Sequence, residues 1–119
     1  MDGAGEERFG AKVRRLREER DIGLRPFARM VGISATYLSK VERDELPPPA
    51  EDRVKEIARL LGQDPDELLA LAGRVASDLG EIIRERPREM ASFLRTVRGM
   101  GPEELRRLEE AARKGGVDG

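Results

Sequence analysis

Between Leu24 and Val41 the apolar residues follow a spacing that few folds satisfy. Leu24, Phe27, Ala28 and Val31 recur at i, i+3, i+4 and i+7, which is one face of a helix. Gly32 follows, a residue suited to the left-handed turn that stops a helix. Ser34 then reads as the N-cap of a second short helix, Ala35 to Glu42, with Leu38 and Val41 on its apolar face. Pro26 is tolerated because first-turn N–H groups have no intrahelical partner. Ala28, four residues before Gly32, is small enough to let the two helices cross closely and steeply. Ile33, in the turn, is placed to tuck into the core beneath both.

The rest of the chain reads as helices of the same kind. Phe9, Val13 and Leu16 mark a helix over roughly Glu7 to Arg20, broken by Asp21-Ile22-Gly23. Arg43 to Pro49 is a loop, because three consecutive prolines admit no helix. Val54, Ile57, Ala58 and Leu61 mark a fourth helix, with Gly62 at its end. Asp64-Pro65-Asp66-Glu67 combines an acidic cap, a first-position proline and a glutamate three after the cap, so a fifth helix starts there and runs to about Ala72. Beyond Gly73, Ser77 is expected to cap a short helix carrying Leu79, Ile82 and Ile83, which Pro87 interrupts. Met90, Phe93, Leu94 and Val97 form a further stripe. Leu105, Leu108 and Ala112 mark a last helix. No alternating strand pattern and no internal repeat is present, and the fold class is all-α.

Composition removes whole classes of function. The 119 residues include no Cys and no His, so there is no disulfide framework, thiol nucleophile, imidazole base or common zinc site. A carboxylate-only Mg²⁺ or Ca²⁺ site stays formally open. A catalytic set would need carboxylates with Lys or Tyr in a pocket, and the sequence holds no such cluster. No enzyme and no cofactor is expected. The longest nearly apolar stretch, Leu68 to Gly73, is far short of the roughly 20 residues that span a bilayer. The first residues lack the basic flank and apolar run of a signal peptide. The cytoplasm is therefore the expected compartment.

The net charge of −1 conceals an uneven distribution. Residues 1–7 carry −3, residues 8–43 carry +6 and residues 44–119 carry −4. A basic block inside an acidic chain is the pattern of one anion-binding module attached to something else. The two helices and turn described above lie within that block. They form a helix-turn-helix pattern.

The stretch RRLREERDIGLRPFARMVGISATYLSKVERDELPPPAEDRVKEIARLLGQDPDELL resembles the lambda-repressor-like, xenobiotic-response-element class of helix-turn-helix regulators. The resemblance covers about residues 8–72, with Arg17, Ala28, Gly32, Ser34, Leu38, Ser39, Glu42 and Arg43 in register. It implies a five-helix DNA-binding domain over 7–73. A helical dimerisation or partner-binding region over 74–114 follows, with disordered ends at 1–6 and 115–119.

In such a domain the second helix of the motif lies in the major groove. Its base-reading positions here are Ala35, Thr36, Ser39 and Lys40. Lys40 can donate to guanine, Thr36 offers a hydroxyl or a methyl, and Ala35 offers only apolar contact. Expected phosphate contacts are Arg25, Arg29, Tyr37 and Arg43, with the backbone N–H groups around Gly23 and Leu24. Arg17 and Glu42 resemble the family's inner ion pair, which orients the recognition helix without reading DNA. Two positions depart from the family's pattern. Many members place a phosphate-binding Gln where this chain has Leu24. Many have Gly-Lys after the recognition helix, where this chain has Asp44-Glu45.

Residues 75–114 are too few to bury a core alone. Ile82, Ile83, Met90, Phe93, Leu94 and Val97 are expected to meet a second copy or another protein. The order of parts resembles small repressors of phages and mobile elements, some of which are released when a metallopeptidase cuts the C-terminal part. The resemblance therefore implies a dimeric repressor of double-stranded DNA reading an inverted repeat. The alternative is an antitoxin-like or protease-controlled interaction module, in which the C-terminal helices bind a protein partner and DNA binding is weak or lost. No membrane partner is expected.

Overall fold

The computed structural model describes residues 7–115, and every regular element among them is helical. The expectations for residues 1–6 and 116–119 lie outside the described residues. The chain forms two compact units that divide between Ser77 and Asp78.

The first unit holds α1 (Phe9–Glu19), α2 (Leu24–Val31), α3 (Ala35–Glu42), α4 (Glu51–Leu60) and α5 (Pro65–Leu71). Its core contains the periodic residues of all five. Val13, Phe27, Leu38, Val54, Ile57, Leu61, Leu68 and Leu69 are fully buried. α3 packs on α1 and α2, and α4 packs on α2 and α5. The core is aliphatic apart from the rings of Phe9 and Phe27, with Tyr37 half-buried against it.

The expected helix ends are set by the expected groups. Gly32 adopts φ +86°, and its N–H and that of Ile33 both donate to Ala28 O (2.8 and 3.0 Å). A side chain at that φ would meet its own backbone, so glycine ends the helix cheaply there. Ser34 Oγ accepts from Tyr37 N at 3.0 Å, and Asp64 Oδ1 accepts from Glu67 N at 3.0 Å. α1 is shorter than its pattern suggested: Arg8 before it is extended, and past Glu19 the chain turns left-handed at Asp21, φ +56°.

The proline loop is held from behind. Arg74 donates to Pro48 O at 2.8 Å and also to Pro49 O. Ala76 is buried against the core. Ser77 is the first residue of the next helix rather than its cap. Its N–H and hydroxyl both donate to Glu51 Oε2 (3.2 and 3.3 Å).

The second unit contains α6 (Ser77–Glu85, whose first residue belongs to the first unit), α7 (Pro87–Val97) and α8 (Pro102–Gly115). The last helix includes Gly115, one residue beyond the expected boundary. None of the three helices has a buried residue. Phe93 of α7 and Leu105, Leu108, Glu109 and Ala112 of α8 line an apolar groove of about 430 Å³. No helix among the described residues is long and apolar enough to cross a membrane.

Candidate nucleic-acid interface

The orientation of α3 is set from inside. Arg17, on α1, reaches the last residue of α3 through two hydrogen bonds to Glu42: Nε to Oε2 at 2.8 Å and Nη2 to Oε1 at 2.9 Å. Arg17 Nη1 also donates to Ile22 O at 2.8 Å, in the turn before α2. The Glu42 carboxylate raises the Arg17 guanidinium further above its ordinary value, chiefly by hydrogen bonding. One planar cation thus ties together α1, the α1–α2 turn and the end of α3.

Gly10 allows this approach. A Cβ at Gly10 would lie 2.2 Å from Val41 O and 2.9 Å from Glu42 O. The first turn of α1 therefore rests directly on the backbone at the end of α3. Sequence reasoning did not single out Gly10, although a glycine inside an apolar-periodic helical stretch marks such an approach.

With its inner face fixed, α3 turns the expected reading positions outward. Thr36 and Lys40 are exposed, and Ala35 and Ser39 are half-buried. Leu24, Arg25, Ala35, Thr36, Ser39 and Arg43 line one shallow groove of about 250 Å³. Three expected base-reading positions and three expected phosphate positions thus share a single surface. Arg25, Arg29 and Lys40 are exposed and form no ion pair among the described residues. Gly23 precedes α2 in an extended conformation with no side-chain acceptor capping the first turn, in contrast to the Ser34 cap of α3. Arg29 and Lys40 do not line that groove. Tyr37 is half-buried against the core and outside it too.

The two acids that follow the recognition helix are engaged by arginines. Asp44, at φ +63°, adopts the backbone that glycine favours. Its carboxylate pairs with Arg8. Glu45 pairs with Arg43 at 3.3 Å, and Arg43 Nε also donates to Ser39 O at 3.3 Å.

In the second unit, Ile82, Phe93 and Leu94 are each more than two-fifths exposed. Ile83, Met90 and Val97 are half-buried.

Residues 8–71 match the family model of the helix-turn-helix domain. Among solved structures, the chain is similar to the DNA-binding domain of the P22 C2 repressor. There the identity is 28%, the match covers 58% of this chain and 86% of that one, and the TM-score is 0.49. It is also similar to a chain of the SinR protein/SinI protein complex, at 19% identity, covering 92% of this chain and 98% of that one, with a TM-score of 0.49. None of the curated proteins compared matches it.

Proposed function

Because the chain belongs to the helix-turn-helix domain family, we propose that it is a sequence-specific regulator of transcription that binds double-stranded DNA. It acts in the cytoplasm as a dimeric repressor of an inverted-repeat operator, without catalysis or cofactor. The observation that carries this reading is the shared groove of Leu24, Arg25, Ala35, Thr36, Ser39 and Arg43. It lies on a recognition helix locked by Arg17 and Glu42. Polar side chains that can reach base edges stand beside cations that can reach phosphates, which is the division of labour DNA readout requires.

The dimeric part of the reading is supported by the second unit. Its apolar stripe lacks a buried residue, and residues 78–119 carry nine cationic and nine anionic side chains. Two copies can therefore meet there without net charge repulsion. A two-fold dimer sets its recognition helices one DNA turn apart, about 34 Å.

The test is selection of bound duplexes from a random pool at about 50 and 200 mM salt, with sedimentation of the free protein. An enriched inverted repeat, bound by a dimer with an affinity that falls steeply with salt, is the expected result. No enrichment at either salt overturns it. The same exposed stripe favours a second reading, a module that binds another protein through α6 to α8. A monomer that selects no DNA is the result that reading expects.

A further inference from the structure

Leu24 opens α2, and its half-buried side chain packs against the core. It offers a phosphate nothing but its backbone. Two grooves nevertheless share Leu24, Ser39 and Arg43. One contains the reading positions already described. The other, of about 220 Å³, adds Arg14, Arg17 and Glu42. Arg17 and Glu42 neutralise each other, which leaves Arg14 and Arg43 as the charges this second groove can offer.

We infer that Arg14 is a further phosphate-binding side chain of the DNA interface, supplying from α1 the contact that Leu24 cannot make. The inference rests on the proposed DNA-binding function. Arg14 lies three residues before Arg17, so both project from the same face of α1. Arg17 touches the end of the recognition helix, so that face is turned toward the helix that enters the groove. In the free protein Arg14 Nε donates to Glu18 Oε2 at 3.1 Å, and both side chains are more than half exposed. An exposed pair of this kind holds its members weakly. A phosphate accepts two parallel hydrogen bonds from one guanidinium, so it displaces the carboxylate, which returns to water.

Neighbouring cations lack this combination. Arg15 is gripped by two acids, Glu7 at 2.8 Å and Glu19 at 3.0 Å, and lines neither groove. It serves as the internal control.

The experiment measures affinity of the full chain for its selected duplex, and for a mixed-sequence duplex, across a salt series. Arg14→Ala is expected to weaken both duplexes alike and to reduce the slope of log K against log salt by about 0.9, one phosphate contact. Arg14→Lys is expected to retain most of the slope, and Arg15→Ala to leave it unchanged. Glu18→Gln frees Arg14 and is expected to strengthen binding. If the Arg14–Glu18 pair served only to stabilise α1, Glu18→Gln and Arg14→Ala would shift affinity in the same direction, and that outcome overturns the inference. So does an unchanged slope for Arg14→Ala where Arg25→Ala still lowers it. If neither substitution alters the slope, the DNA-binding reading fails, and this inference fails with it.

Discussion

Arg17 and Glu42, 25 residues apart, meet in two parallel hydrogen bonds of 2.8 and 2.9 Å with each residue only 7% exposed. Removing one partner leaves the other's charge unpaired and largely withdrawn from water. Glu42→Ala is therefore expected to cost about 3–5 kcal/mol, a large part of the roughly 5–15 kcal/mol that holds a domain folded. Urea unfolding of the variant checks this. A loss below about 1 kcal/mol, the range of exposed pairs, would show that the pair does not hold α3.

Gly10→Ala poses intrinsic helix propensity against space. Alanine favours a helix interior over glycine by about 1 kcal/mol, an upper bound for Gly10 in the first turn of α1. The new Cβ would lie 2.2 Å from Val41 O, and a backbone carbonyl at a helix end cannot rotate away as a side chain can. Space wins, and overpacking of about 1–3 kcal/mol is expected. Thermal unfolding should show a lower Tm. DNA affinity should fall with it, because the displaced end of α3 carries Arg43. A Tm at or above that of the parent refutes the close approach.

Thr36→Ala and Lys40→Ala are expected to change which sequences are preferred. A good base contact discriminates by about 1–3 kcal/mol. Arg25→Ala and Arg29→Ala should instead weaken all duplexes alike, each reducing the salt slope by about 0.9. Competition binding against a panel of point-changed operators separates the two effects. Unchanged affinity in all four variants would place the DNA on another face.

Glu45 engages Arg43 at 3.3 Å beside the recognition helix. Glu45→Gln releases that arginine and removes an anion from the approach of the phosphate backbone. Affinity should rise and the salt slope steepen. A weaker complex would mean that Glu45 positions Arg43 for DNA rather than competing with it.

Three surface glutamates should contribute a modest part of the acid limb of stability. Arg15 lowers the carboxyl of Glu7, Lys55 lowers that of Glu51 with help from Ser77, and Arg59 lowers that of Glu56, in each case chiefly by hydrogen bonding. A carboxyl held below its unfolded value stabilises the fold above that value, about pH 4.3. The contribution is lost as pH falls through the lower, folded value. With no His and no Cys, unfolding midpoints should be flat between about pH 5 and 8 and should drop below about pH 4. Glu51→Gln should make the acid limb shallower. A midpoint that changes steeply near neutrality would contradict this assignment.

Much of the fold was legible along the chain. The bounds of α2 and α3, the stop at Gly32 and the caps at Ser34 and Asp64 agree with the spacing of their residues. Each of these features is decided within about four residues, the reach of a helical hydrogen bond. That Ala35, Thr36 and Ser39 share one groove follows from the same register, and the family resemblance supplied the reading role proposed for them. The resemblance also supplied the Arg17–Glu42 pair, which no periodicity marks. Nothing local marks Arg14, which on its own helix is one more arginine, paired with Glu18.

By itself the sequence determined the helices, the ends of α2, α3 and α5, and the faces that the first five helices bury, because propensity, capping and apolar period act over one or two turns. It also determined that α6 to α8 carry an apolar stripe too small to enclose a core. Only the tertiary structure decided which distant groups became neighbours. Gly10 came under Val41, Arg74 reached the carbonyls of Pro48 and Pro49, Asp44 and Glu45 acquired arginine partners, and Arg14 was brought to the groove beside Leu24. Those pairings depend on the angle and depth at which helices cross. Close packing of the whole core sets both, and no local run of residues records them.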